Sequence, residues 1–214
     1  MRIAEISKVD HNLIFNSQSL VETMFQQVRN AIDTVNWASH LYKPSVSFAA
    51  AYTEEEIIIS FFVDEKWFKA EKTKPNENVF EDSCVEFFCS PANDGIYYNF
   101  EFNALGTCLM GTGQGRHDRK RTDPTIINEI ITIPSIGNKP VTKKESRSWN
   151  LTILIPKHVF FLHKIDVFKG KCFPANLYKC GDKLETPHYL SWNPVNTPSP
   201  DFHRPECFGV FKFV

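Results

Sequence analysis

The chain has no run of about 18 apolar residues, the length a helix needs to cross a bilayer, so no membrane partner is expected. It also has almost no net charge, −1 at pH 7, far from the basic excess that neutralising phosphates requires, so no nucleic-acid partner is expected either. Among the six cysteines (Cys84, Cys89, Cys108, Cys172, Cys180 and Cys207) there is no C-x-x-C pair, which argues against a zinc ribbon or a thioredoxin-type site. Cys84 and Cys89 lie five apart in an expected strand and point to opposite faces, which excludes a bridge between them. An even cysteine count admits disulfides, but buried free thiols acting as small hydrophobes are the plain expectation. Met1 to Asp10 carries no apolar signal-peptide core, which favours a cytoplasmic location. The glycines of Gly111 to Gly115 lack both the Lys-Ser/Thr ending and the following helix of a phosphate loop, so they read as a flexible connection.

What the chain has in quantity is aromatic residues, 14% of the total and 19 of them Phe, which suit pleated, half-buried surfaces. Only Ser19 to Thr34 carries a long helical stripe, with Leu20, Met24, Val28 and Ala31 at helical spacing and Val21, Phe25 and Ile32 widening it. Strands are expected over 45–52, 57–63, 83–89, 96–103, 105–110, 129–133, 149–155, 173–179, 189–192 and 208–213. Residues 54–56 read as a turn, 111–124 as a long exposed loop, and 157–163 as a short helix. Many short strands with turn residues between them predict two packed sheets. No repeat or linker divides the chain, so a single domain over 1–214 is expected, with 1–44 as a helix and lead-in packed on it.

Strand parity supplies the functional signal. In Ser83 to Cys89, Val85 and Phe87 share one face while Cys84, Glu86 and Phe88 share the other. In Ile96 to Asn103, Tyr98, Phe100 and Phe102 oppose Tyr97, Asn99, Glu101 and Asn103. If the two strands pair, one face is an aromatic core layer and the other collects Glu86, Asn99, Glu101 and Asn103. Carboxylates and amides grouped in this way suit sugar hydroxyls, each of which both donates and accepts. Sugars also need aromatic platforms. Phe80 precedes the first strand, and Trp192 enters a Pro-rich segment (Pro194, Pro198, Pro200) poorly suited to burying an indole. Trp37, Trp67 and Trp149 are expected to be structural, Trp149 in a stripe with Leu151, Ile153 and Ile155. The basic run Arg116, Arg119, Lys120 and Arg121 reads as a solvated loop, with a rim contact to an acidic sugar as its functional alternative. His188 and His203 read as turn-stabilising or sugar-contacting.

Phe80 to Phe88, Tyr97 to Thr107, Ala175 to Lys179, His188 to Trp192, and Pro200 to Gly209 together resemble family 9 carbohydrate-binding modules, from about Ser45 onwards. The resemblance implies an all-β, immunoglobulin-like sandwich related to DOMON domains, here with one N-terminal helix and short helical insertions. It implies a xylanase-associated kind of module that grips glucan or xylan chain ends between aromatic rings, with oligosaccharide or polysaccharide as partner. By position, Trp192 is one wall and Phe80 stands where a second tryptophan is usual. Glu86 matches the strand acid that bonds hydroxyls, and Asn99 or Glu101 occupies the place of a basic residue. With Asn103, Arg116 and His188 these make the expected ligand-binding set. No cofactor is required, although the family admits structural calcium, for which Asp64, Asp82 or Asp201 could serve without an EF-hand loop.

Two rivals remain on the sequence. Glu86 and Glu101 could be the acid and base of a glycoside hydrolase, although a sheet face lacks the desolvated pocket that raises a carboxyl's pKa. A DOMON-like haem or redox module would need axial ligands, and of Met1, Met24 and Met110 only Met110 falls in the sheet region.

Overall fold

The computed structural model describes every residue except Lys144. Among the described residues sixteen strands follow in chain order: β1 (Ile3–Lys8), β2 (Asn30–Ala31), β3 (Thr34–Val35), β4 (Ser45–Tyr52), β5 (Glu56–Glu65), β6 (Phe68–Ala70), β7 (Cys84–Cys89), β8 (Tyr97–Asn103), β9 (Cys108–Gly113), β10 (Lys120–Arg121), β11 (Ile131–Pro134), β12 (Val141–Lys143), β13 (Arg147–Pro156), β14 (Cys172–Cys180), β15 (Tyr189–Ser191) and β16 (Gly209–Phe213). Two helices, α1 (Ser17–Gln26) and α2 (Pro124–Ile127), and four short 3-10 turns complete the fold.

One hydrogen-bonded path runs β10-β9-β8-β7-β14-β16-β1-β4-β5-β13-β11, with β15, β3 and β2 attached at its sides and β12 paired to β6 apart from it. The path curls at β1, which is parallel to β16 on one side and to β4 on the other. The two halves thereby face each other as a β-sandwich. Val85, Phe87, Phe100, Phe102 and Leu177 from one half meet Phe48, Ile57, Ile59, Phe61, Leu151 and Ile153 from the other. Burying each such side chain contributes about 1.5–3 kcal/mol.

The expected helix over 19–34 is half correct. Asn16 caps α1 through its side chain, which accepts from the Ser19 N–H at 3.1 Å, and Leu20 and Met24 are buried. Their seat is Ala49, Ala51, Ile58 and Leu154, so the small residues of β4 make room for the helix. After Gln26 the backbone turns extended, Asn30 and Ala31 pair with β4, and Val28 is left in solvent. Edge pairing with β4 overrides the second half of the helical stripe. Residues 1–44 are also no mere lead-in, because β1 sits in the middle of the sheet path. The expected loop over 111–124 contains the end of β9, all of β10 and the start of α2. Among the described residues no helix is long and apolar enough to cross a membrane.

Candidate functional site

Pairing of β7 with β8 sets Glu86 directly opposite Glu101, Phe88 opposite Asn99, and Cys84 opposite Asn103. The strand-parity expectation therefore holds: these residues share the outer face of the sheet, and the aromatic layer lies inside. That outer face is not open to water, however. Trp37, Val79, Val195, Phe202 and Phe208 cover it and form a second apolar cluster with Phe88, Tyr97 and Tyr178. The covering segments leave one gap, a pocket of about 690 Å³ counted out to its mouth. Glu86 and Glu101 lie on its floor, with Phe80, Tyr189, Phe202 and His203 as walls and Arg116, Arg119, Asp182 and Asp201 around them.

Each group is placed by its own segment. Phe80 belongs to the 3-10 turn Val79–Glu81, whose carbonyl at Phe80 accepts from the Asp182 N–H at 2.9 Å. Arg119 comes from the turn between β9 and β10, and its guanidinium donates to Glu101 Oε1 at 3.3 Å. Asn99 donates to the same oxygen at 3.0 Å. Glu86 Oε1 accepts from the Cys180 thiol at 3.1 Å. Burial, and next the facing Glu101, hold the Glu86 carboxyl well above the usual carboxylate range. Burial also pushes Glu101 up to about 7, against the pull of Arg119. At neutral pH the pair holds at least one proton, so it presents a carboxyl donor beside a carboxylate acceptor. Asp182 is raised to about 6 by burial, and desolvation drives His203 down to about 3, so the ring is neutral. His203 sits against Phe88 and meets the Tyr97 hydroxyl at 2.9 Å.

Of the expected ligand-binding set, Phe80, Glu86, Glu101 and Arg116 come together in the pocket, and Asn99 stands behind Glu101 as its support. Three residues do not join them. Trp192 is 2% exposed and packs edge-on against Phe48 at 5.6 Å and Phe211 at 5.9 Å, inside the sandwich. Gly209 permits this, because a Cβ there would lie 2.8 Å from the indole. The Pro-rich segment begins only after the ring has turned inward. Alternation from Tyr189 puts residues 190 and 192 inside and leaves Tyr189 facing the pocket. His188 is also buried, with Nε2 3.0 Å from the Lys179 ammonium and Nδ1 3.1 Å from the Thr186 carbonyl. Asn103 is spent on the backbone: it donates to the Lys72 carbonyl and to Asp82, and accepts from the Leu105 and Thr107 N–H groups.

The pocket also holds Asp182, Tyr189, Phe202 and Arg119, which the expected binding set lacks, and Asp201, expected only as a calcium candidate. Tyr189 was recoverable from alternation with Trp192. The others depend on where loops fold back. The three calcium candidates stand in different surroundings. Asp82 Oδ2 takes N–H groups from Glu71, Lys72 and Asn103, and the Lys69 ammonium is 3.6 Å from Oδ1. Asp201 faces the His203 N–H and, at 3.7 Å, Arg116, and Asp64 is exposed on β5. Calcium needs a shell of oxygens, and donors surround two of these carboxylates.

A sandwich that opens one pocket over a carboxyl pair, an arginine and aromatic walls has the makings of a module that holds a hydroxyl-rich ligand. The chain belongs to carbohydrate-binding family 9, which matches residues 18–213, and it is a non-catalytic carbohydrate-binding module. It is similar to a solved protein from Bacteroides uniformis ATCC 8492 described as carbohydrate-binding, at 34% identity and TM-score 0.91, over 100% of this chain and 99% of that one. It shares its fold with a family 9 module from Caldicellulosiruptor kristjanssonii solved with glucose, at 9% identity and TM-score 0.62, over 100% of this chain and 96% of that one. The same holds for a family 9 module from that organism solved with cellotriose, at 10% identity and TM-score 0.60, over 99% and 93%. No curated protein matches the chain.

The expected shallow, wetted face gives way to a desolvated one, so burial does raise these carboxyls. It raises both Glu86 and Glu101. Met110, the one sulfur ligand offered for haem, is wholly enclosed in the core between the sheets.

Proposed function

We propose that the pocket over Glu86 and Glu101 binds a glucan- or xylan-type oligosaccharide, with a pyranose ring laid against the aromatic walls. The carrying observation is the facing carboxyl pair with Arg119 on one of its oxygens. Adjacent sugar hydroxyls present alternating donors and acceptors, and a half-protonated acid pair beside a guanidinium meets both. Phe80 and Tyr189, each half-buried, offer faces to the apolar C–H side of the ring, the role expected of Trp192. Arg116, exposed at the mouth and 3.7 Å from Asp201, contacts a second residue of a longer chain.

Isothermal calorimetry with cello- and xylo-oligosaccharides tests this reading. Binding of one ligand per chain, lost in Arg119→Ala and weakened in Tyr189→Ala, is the expected result. No heat from any of these sugars, or affinity unchanged by both substitutions, overturns it.

A further inference from the structure

The outer face of β7 and β14 carries two thiols that sugar binding leaves idle. Cys180 stands directly opposite Cys84 in the register of the two strands, and Glu86, two residues beyond Cys84, projects from the same face. One atom from each residue, the two Sγ and a Glu86 carboxylate oxygen, lies within 4.8 Å of the others. All three residues are buried, yet Cys180 and Glu86 also line the pocket, so the cluster is closed behind and open in front. Cys89 and Cys108 behave differently. They lie in the aromatic core between the sheets, where a thiol is a small hydrophobe and nothing more.

Two thiols and a carboxylate held this close supply three corners of a tetrahedron, with the fourth direction leading into the pocket. Thiolate donors select borderline-soft ions and leave magnesium and calcium in water. We propose that Cys84, Glu86 and Cys180 form a binding site for a thiophilic divalent cation, zinc in the first instance, whose fourth position opens into the pocket. On binding, the ion takes the two sulfur lone pairs and the two thiol protons pass to solvent. Two thiolates and a carboxylate exceed the ion's charge by one, and Arg119, bonded to the neighbouring Glu101, lies on the side that offsets it. The proposal stands on the cluster alone and not on the carbohydrate reading. The two share Glu86, so a bound ion withdraws that carboxyl from a sugar.

The test is a cobalt(II) titration of the reduced full chain without sugar. One equivalent of Co²⁺ should give an intense near-ultraviolet thiolate-to-cobalt band and visible tetrahedral bands, both bleached by Zn²⁺. Cys84→Ser and Cys180→Ser should each abolish them, and the Cys172→Ser/Cys207→Ser double variant should retain them. Glu86→Gln keeps the shape of the side chain and should weaken the metal by about tenfold or more, since even supporting residues around a metal cost that much. As a second readout, Zn²⁺ should raise the Tm of the wild-type chain more than that of Glu86→Gln. Absence of a thiolate band, a band that survives in Cys84→Ser/Cys180→Ser, or a zinc-induced Tm rise equal in Glu86→Gln and wild type would overturn the proposal. A chain that takes cobalt and no sugar would remove the carbohydrate reading alone, and the reverse would remove only the metal.

Discussion

Two clusters of buried ionisable groups meet at β14, and their contrast separates support from function. Lys179 and Cys180 are consecutive, so they point to opposite faces of the sheet. Lys179 turns inward, where its ammonium is 2.9 Å from Glu65 of the other half of the sandwich, 3.0 Å from His188 and 2.8 Å from the Cys180 carbonyl. Glu65 in turn accepts from the Trp149 indole N–H at 2.7 Å. Lys179 and His188 are 0% exposed, Glu65 1% and Trp149 3%, and all lie outside the pocket lining, so the group clasps the two halves together. Cys180 turns outward beside Glu86 and Glu101, which are equally buried but border a pocket and carry acids that outnumber their cations. A closed network with a counter-ion for its charge holds a fold. An open network with an unmatched acid is ready to take something in.

The sharpest way to break this contrast is to remove one charge from each cluster. Lys179→Met strands Glu65 in the interior and should cost about 3–5 kcal/mol in urea unfolding, part of it recovered in Glu65→Leu/Lys179→Met. Glu86→Gln should change stability by less than about 1 kcal/mol, because its carboxyl already holds a proton near neutrality. Equal losses from the two substitutions would erase the distinction. For ligand, Arg119→Ala should weaken oligosaccharide binding by tenfold or more in calorimetry, about 1.4 kcal/mol at the least, since it removes a donor and the ion that balances Glu101.

Acid should act through the clasp. Burial, and next the Lys179 charge, depress the His188 pKa from 6.5 to about 2, so the folded state keeps the ring neutral while the unfolded chain protonates it below pH 6.5. Its contribution to stability is complete above 6.5 and falls as pH drops towards 2. The slope is about 1.4 kcal/mol per pH unit, or about 2 kcal/mol lost by pH 5. Glu101, raised to about 7, has the opposite sign and stabilises the fold increasingly as pH falls from 7 towards 4.5. Urea titrations of His188→Gln should therefore show a smaller acid loss than wild type, and identical pH profiles would contradict the assignment. The smallest expected effect belongs to Trp192→Phe. It should lower the Tm yet leave sugar affinity within about twofold, a difference below roughly 0.5 kcal/mol. A large loss of affinity would return the indole to the site.

Period-two alternation made much of this legible beforehand. β7, β8, β13 and the inner aromatic layer follow directly from it, as does the grouping of Glu86, Asn99 and Glu101 on one face. Alternation describes a strand and is silent on what covers it. The segments bearing Phe80, Asp182 and Phe202 belong to no regular pattern, so the conversion of a polar face into a pocket could not be read from them. Trp192 misled because proline further along signals exposure of the backbone, while the ring obeys the parity of Leu190 before it. β1 was missed because alternation in Ile3 to Lys8 is faint and both its partners lie far off in the chain.

That distance bears on how the molecule is made. Ile3 pairs with Val210, and β16 fills the space between β14 and β1, so the curl of the sheet closes only once β16 has been synthesised. Until then the edges of β1 and β14 stand unpaired and the interior lacks Phe211 and Phe213, the state in which sheets stick to one another. Loop closure over so many residues is slow, and translation that stalls before Gly209 should yield aggregates rather than a smaller folded product.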